Sequence, residues 1–378
     1  MTRPAKILYV NSWSSAHGGS ATSLFDIVSR LDRSRFEPLV VCPEPGELPR
    51  RLQEINVPVV IHPLSRLNRS ELWGFATEVP WYVRLLRRHS IALVHGNTSA
   101  SRRSLLQAVA LCRIPYVQHV RNPVKHPRAQ FGYRLASWIV TNSDAVATEL
   151  RAEPLFAPKT VTIYNAVDLS RYEMDDDRRE ELGADGRPIV GFVGQIVPRK
   201  GIDTVIEAMP DVLKRFPTAL LVIVGCAPPD ETAYESSCRT MIQRLGLSEH
   251  VQFVGYRRDV PAWMRTFDVF VLPTRSEPFG KVVIEAMAAS RPVVVTSVGG
   301  IPEIVTSPEL GSLVPPDDAA VTAQEIARYL GDASLRARVG GAAAESVRER
   351  FGLDGMIARL QQLYDSVLDR PERITAVA

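Results

Sequence analysis

Arg275-Ser-Glu-Pro-Phe-Gly-Lys-Val-Val-Ile-Glu285 sets two carboxylates, Glu277 and Glu285, eight positions apart with Pro278 and Gly280 between them. The apolar run Val269-Phe-Val-Leu272 ahead of it reads as a buried strand, the proline and glycine punctuate a turn, and Lys281 to Ala289 reads as a helix. Glu277 therefore falls at the carboxyl end of a strand. Ligands of open parallel sheets bind there, and a helix opening near Gly280 aims backbone N–H groups and a positive dipole at the same place. The layout suits a phosphate-bearing ligand. Glu285, further along the helix, is placed to accept hydrogen bonds from ribose or sugar hydroxyls.

Outward from this stretch the same alternation recurs. Short Val/Ile/Leu-rich runs at Pro188 to Val193, Ala219 to Val224, Val251 to Val254, Val269 to Leu272 and Pro292 to Thr296 are separated by segments of helical period. An earlier series covers Ile7 to Val10, Leu39 to Cys42, Val57 to Ile61, Ile91 to Val94, Tyr116 to His119 and Trp138 to Thr141. Two doubly wound α/β domains are expected. Their seam lies at Ile163-Tyr-Asn-Ala-Val-Asp168, ahead of an acidic run from Glu173 to Asp177 and the Gly183-Ala-Asp-Gly186 loop. Near the end, Met356, Leu360, Leu363 and Val367 are spaced as one buried face of a helix.

At 378 residues the chain has room for two cores. Its apolar runs fall well short of a membrane span, and no hydrophobic signal segment follows Met1-Thr-Arg-Pro-Ala-Lys6, so a cytoplasmic protein is expected. Cys42, Cys112, Cys226 and Cys238 are scattered without metal-ligand companions, which fits buried thiols in a reducing compartment. The net charge of +3 hides an asymmetry: residues 1–165 carry 21 Lys/Arg against 11 Asp/Glu, and the rest 24 against 31. A basic first half points to an anionic acceptor or surface, or to a solvated basic face. Nucleic acid is disfavoured, since no recognised binding motif or basic tail is present.

Gly191-Phe-Val-Gly194-Gln-Ile-Val-Pro-Arg-Lys200-Gly201 follows a strand and opens a helix near Ile202. Its glycines permit close approach of a phosphate, and Lys200 would neutralise charge building on a departing diphosphate. His17-Gly18-Gly19-Ser20 is a Gly-Gly turn after the first strand and before the helical segment Ala21 to Leu31. His119 closes the strand Pro115-Tyr-Val-Gln-His119, and His95 stands similarly in Val94-His-Gly-Asn-Thr98. Leu72 to Arg88 mixes Trp73, Phe75, Trp81 and Tyr82 with Arg84, Arg87 and Arg88, and the loop Arg121 to Arg134 adds Lys125, His126 and Arg128. Such stripes serve either a lipid or lipid-phosphate surface or core packing, and packing is the expectation for Trp81, Leu85 and Leu86. Asp175-Asp-Asp177 lies in a polar linker and reads as solvated charge.

The Glu277 to Glu285 element, with Arg291-Pro-Val-Val-Val-Thr-Ser-Val-Gly-Gly-Ile-Pro-Glu303 after it, resembles family 4 of the retaining glycosyltransferases. The resemblance covers most of the chain and is strongest from Val190 to Glu303. It includes Asn165-Ala-Val-Asp168, where Ala166 replaces the family's usual glycine. It implies the GT-B fold, two Rossmann-like domains facing a cleft. Residues 1–165 form the acceptor-side domain, 166–352 the sugar-nucleotide domain, and 353–378 a helix and tail crossing back to the first domain.

The resemblance also implies roles. Lys200 is the leaving-group lysine, Glu277 holds hydroxyls of the donor sugar, Glu285 the ribose, and the amides of Phe279, Gly280 and Lys281 the diphosphate and sugar. Gly18 and Gly19 lie beside the diphosphate, and His119 contacts the donor sugar. Gln195 stands where the family usually carries arginine, and Arg199 is the candidate to replace that cation. The implied reaction moves a hexose-type sugar from a UDP- or GDP-linked donor to a glycan, lipid-linked or small-molecule acceptor in cell-surface polysaccharide or glycolipid assembly. The nucleotide sugar is a substrate; no cofactor or metal is expected. An anionic membrane surface at the inner face of the membrane is a further partner under the lipid reading, and no signature of an oligomeric state is present. The rivals are a sugar-nucleotide epimerase or glycosyl phosphorylase on the same fold, a non-catalytic nucleotide-sugar binder, and, least favoured, a nicotinamide oxidoreductase, since no G-x-G-x-x-G is present.

Overall fold

Strands with helices on both faces must be apolar along their whole length, and that is how most of the runs above behave. The computed structural model describes residues 3–11, 19–63, 71–97, 103–129, 131–173, 176–229 and 231–369. It divides into two compact units, Met1–Asn165 with Leu353–Ala378, and Ala166–Gly352.

In the first unit, β1 (Ala5–Val10), β2 (Phe36–Cys42), β3 (Val59–Ile61), β4 (Ile91–Gly96), β5 (Tyr116–Val120), β6 (Trp138–Thr141) and β7 (Thr160–Thr162) make one sheet in the order β3-β2-β1-β4-β5-β6-β7. Every pairing is parallel. The core on one face gathers Leu8, Leu39, Val94, Leu105, Val109, Tyr116 and Ile139 with Tyr82, Leu85 and Leu86 from helix Glu71–Arg88. Trp81 packs against this core half-buried and stacks on His62, ring centroids 3.6 Å apart. The packing reading thus holds for Trp81, Leu85 and Leu86, while Arg84, Arg87 and Arg88 are exposed. The side chains of Trp73 and Phe75 lie outside the described residues.

In the second unit, β8 (Ile189–Val193), β9 (Leu220–Val224), β10 (Val251–Gly255), β11 (Val269–Leu272), β12 (Val293–Thr296) and β13 (Ser312–Val314) pair in parallel in the order β10-β9-β8-β11-β12-β13. All residues of β8, β9, β11 and β12 are buried. Helix Ile202–Arg215 covers the sheet with Ile202, Val205, Ile206, Met209 and Val212, the i, i+3, i+4 pattern of one helical face. Asp318 and Asp332 accept from the backbone N–H of Val321 and Leu335, capping the helices Ala319–Gly331 and Ala333–Arg350.

Three expectations need correction. β7 and β13 were not anticipated; both are three-residue edge strands, too short to show a period. The last helix, Leu353–Leu368, buries Ile357 where Met356 was expected, and it also buries Tyr364, whose hydroxyl bonds with Tyr9. Of the four thiols, Cys42 and Cys238 are buried, Cys112 is half-buried and Cys226 is exposed, because Cys226 follows β9 in a loop. Ala166 is buried and is not among the non-glycine residues of positive φ, so the turn it occupies does not require glycine. No helix among the described residues is long and apolar enough to cross a membrane.

Candidate functional site

In the second sheet the strand order reverses at β8, which has β9 on one side and β11 on the other. Chain connections from β8 and β11 diverge there and leave a crevice beyond the strands' carboxyl ends, the usual ligand position in such sheets. Two sequence-derived candidates meet at that point. Lys200 sits in the one-turn helix Pro198–Lys200 after β8, and Glu277 in the loop after β11. The Lys200 Nζ donates to Glu277 Oε2 at 2.5 Å, with only 9% and 12% of the two side chains exposed.

Several contacts fix the two loops against each other. Arg275 N–H and the Thr274 hydroxyl both donate to the Arg199 carbonyl, at 2.8 Å each. The Arg275 guanidinium donates to Pro198 O at 2.5 Å, Asp203 Oδ2 at 2.8 Å and Asp317 Oδ1 at 2.7 Å. Burial works against the charged form of Asp203, but bonds from Arg275 and Tyr234 outweigh it and hold the carboxyl below its ordinary range. At Gly201 and Gly299 only glycine fits. A Cβ on Gly201, whose φ is +66°, would lie 1.9 Å from Pro273 O, and one on Gly299, φ +55°, would lie 1.9 Å from Glu277 O. The Gly299-Gly300 pair in the Arg291 to Glu303 stretch therefore lets the chain close on the Glu277 loop, where Gly300 N–H donates to Glu277 O at 3.1 Å.

Helix Lys281–Ala288 follows at once, with Gly280 at φ +104° as its N-cap. Its first turn carries the N–H groups and partial positive charge expected of a helix start. Glu285 is half-buried on this helix. The Phe279 side chain is 1% exposed and meets Phe351 edge-on at 5.7 Å, so Phe279 can offer a ligand only its backbone. Gln195 is exposed, and the Arg199 guanidinium donates to its Oε1 at 3.4 Å, which sets an arginine charge over the position where the glutamine stands.

The first unit holds a second cluster at the ends of β4 and β5. His95 and His119 are fully buried with ring centroids 5.5 Å apart. Arg121, 6% exposed, donates to Asn97 O, Asn97 Oδ1 and Asn165 Oδ1 at 3.1, 2.8 and 3.0 Å. Tyr364, on the last helix, meets His95 Nδ1 at 2.6 Å. Burial and then the nearby Arg121 charge push His95 down to about 3 and hold His119 well below its usual value, so both imidazoles are neutral. The Nε2 atoms of both rings have no hydrogen-bond partner among the described residues. Gly19 opens helix Gly19–Arg30, exposed and with no atom of the described residues near its Cβ position; Gly18 lies outside the described residues, as does Asp175 of the acidic run. Among the described residues no group of three or more His, Cys, Asp or Glu could hold a metal ion.

Arg275, Asp203, Asn97, Arg121 and Tyr364 were given no role from the sequence. Their partners lie far away in the chain, and only the position of Arg275 at the head of the decisive stretch hinted at one.

Two Rossmann-like parallel-sheet domains define the GT-B class of glycosyltransferase architecture, and solved members resemble this chain over nearly its whole length. Anabaena Alr3699/HepE, solved with UDP and glucose, has a TM-score of 0.82 at 25% identity and covers 96% of this chain and 100% of its own. A glycosyltransferase from Rickettsia africae shares the fold at TM-score 0.86 and 18% identity, covering 97% of this chain and 99% of its own. A family model described as glycosyl transferases group 1 matches residues 173–346, and one described as glycosyltransferase family 4 matches residues 17–171. The lipopolysaccharide core biosynthesis mannosyltransferase LpsB of Rhizobium meliloti is 31% identical over 244 residues, which are 62% of this chain and 68% of LpsB. The corresponding LpcC of Rhizobium leguminosarum is 29% identical over 235 residues, 61% of this chain and 67% of LpcC. The chain belongs to glycosyltransferase family 4.

Proposed function

We propose that the protein is a retaining hexosyltransferase that takes a hexose-type sugar from a UDP- or GDP-linked donor. The acceptor is a glycan, lipid-linked or small-molecule hydroxyl compound of cell-surface polysaccharide or glycolipid assembly. The observation that carries this reading is the buried Lys200–Glu277 pair at the switch point of the second sheet, next to a helix start. The pair supplies a cation for a diphosphate and a carboxylate for sugar hydroxyls within one contact. The two Rhizobium relatives are mannosyltransferases of lipopolysaccharide core biosynthesis by name, and HepE was solved with UDP-glucose.

In this reading the 166–352 unit holds the donor and the 1–165 unit serves the acceptor. Donor binding opens the Lys200–Glu277 bond: Lys200 turns to the diphosphate and Glu277 to hydroxyls of the sugar. The amides of Phe279, Gly280 and Lys281 face the diphosphate, Gly18 and Gly19 lie beside it, Glu285 accepts from the ribose, Arg199 reaches over Gln195 to add a second positive charge, and His119 contacts the donor sugar. In the transfer step the bond from the anomeric carbon to the diphosphate oxygen breaks and its electron pair leaves with the diphosphate. The acceptor oxygen forms its bond on the same face, and its proton passes to the departing phosphate oxygen. Lys200 and the helix start stabilise the growing charge, worth about 2.7–4 kcal/mol for each such group removed from other enzymes. The basic first half draws the protein to an anionic membrane surface that presents the acceptor.

The test is incubation of the full chain with UDP- and GDP-sugars, with and without a panel of acceptors. Acceptor-dependent release of the nucleoside diphosphate and a product of unchanged anomeric configuration support the reading. An epimerised donor in the absence of acceptor, or an inverted product, overturns it.

A further inference from the structure

We propose that Arg121 is a positioning residue that locks His119 in one tautomer, with its ring proton on Nε2. His119 is thereby made a permanent hydrogen-bond donor. The Arg121 terminal nitrogen lies 3.3 Å from His119 Nδ1. A guanidinium has only donors, so the ring nitrogen that faces it must accept, and the single proton of a neutral imidazole is left to the other nitrogen. That nitrogen, Nε2, is buried and has no partner among the described residues. A donor kept dry and unpaired is costly, and a ligand acceptor that completes it would remove that cost.

The lock is rigid because Arg121 has little freedom. Three of its other four N–H groups are taken by Asn97 O, Asn97 Oδ1 and Asn165 Oδ1, and Asn97 in turn donates to Asn11 Oδ1 at 2.9 Å and Ser20 O at 3.1 Å. Asn165 also accepts from Ser23 at 3.3 Å. One side chain thus joins the ends of β1, β4 and β5, the last residue of the unit's first segment and helix Gly19–Arg30. Among the described residues the groups that face His119 are Arg121 and His95; Tyr364 stands behind His95 with Tyr9 behind it, and the charge of Asp26 acts on Arg121. Both of these neighbours oppose a second proton on the ring. His119 therefore donates and cannot act as an acid through an imidazolium at neutral pH. The consequence for catalysis rests on the proposed reading that His119 meets the donor sugar: the ligand atom opposite Nε2 must be an acceptor, a hydroxyl or phosphate oxygen.

The experiment is nitrogen NMR of the full chain with labelled histidine, the seven histidines being assigned with a His119→Gln variant. The wild-type protein is expected to show His119 with a protonated Nε2 and a bare Nδ1, with no titration while the fold persists. Arg121→Met should give a mixture of tautomers and a histidine that titrates at higher pH, and Arg121→Lys, which also only donates, should restore the single tautomer. A proton on Nδ1 in the wild type overturns the proposal without need of any variant, and so does an unchanged signal in folded Arg121→Met. In turnover assays Arg121→Met should lower kcat with little change in KM, by up to the ~100-fold that follows loss of one oriented donor, with recovery in Arg121→Lys. A shifted tautomer with unchanged kcat would keep the lock and sink the reading that His119 meets the donor.

Discussion

Replacing Lys200 by methionine keeps the length of the side chain and removes its charge, leaving the Glu277 carboxylate in a place where it is 12% exposed and has lost its 2.5 Å partner. Breaking a buried pair from one side costs about 3–5 kcal/mol. Residual access of water to Glu277 argues for the lower end, near 3 kcal/mol, and for a domain of this size that lowers the melting temperature by about 6–12 °C. Glu277→Gln is expected to cost less, since the amide oxygen still accepts from Lys200. The double variant should be more stable than the sum of the two losses predicts, by about 1–3 kcal/mol, because the second change removes the charge that the first one stranded. Chemical unfolding of the four proteins gives the cycle. Turnover, measured well below every melting point, should fall about 100- to 1,000-fold for Lys200→Met. Strictly additive stabilities would refute the pair, and undiminished turnover in Lys200→Met would refute its place in the reaction.

Gly201→Ala puts a Cβ 1.9 Å from Pro273 O in a backbone of φ +66°. It should cost at least the ~1–2 kcal/mol of a left-handed non-glycine residue and also lower activity, because relief of the clash separates the Lys200 and Glu277 loops; unfolding and turnover measured together check it. Acid should weaken the first unit early. His95 and His119 are held neutral when folded but take up protons when unfolded, so their contribution is complete above the ordinary histidine value of 6.5 and is lost as pH falls below it. The slope is about 1.4 kcal/mol per pH unit for a histidine held neutral, so denaturant titrations should show lower stability at pH 5 than at pH 7, by about 2 kcal/mol from His95 alone, with His119 acting in the same direction.

Much of the fold was readable because parallel strands covered on both faces announce themselves as unbroken apolar runs. Trp138–Thr141 and Val269–Leu272 fall where the pattern puts them. β7 and β13 escaped because an edge strand of three residues needs no such run. The last helix was read one position off at its start, since Tyr364 is buried through a hydroxyl bond that a hydrophobic period does not register. In the site, Lys200 and Glu277 were each marked by a strand's end and a turn, yet their contact spans 77 positions of sequence and follows only from β8 and β11 being neighbours. Arg275 stood in plain view without a partner, because Pro198 and Asp203 come to it from the stretch after β8 and Asp317 from the one after β13. In the sequence Arg121 stood only as the first residue of a loop that follows a strand. Folded, it turns inward and ties strand ends together, which no local signal encodes.

The most direct measurement is the melting temperature of the full chain and of Lys200→Met with a panel of nucleoside diphosphates and their sugars. A ligand at 100 times its dissociation constant stabilises the folded state by about 2.7 kcal/mol. At least one nucleoside diphosphate should raise the wild-type melting temperature and fail to do so at the same concentration in Lys200→Met. If none shifts the wild type, or if the variant responds as strongly, the second sheet's switch point is not a sugar-nucleotide site and the proposed transferase chemistry falls with it.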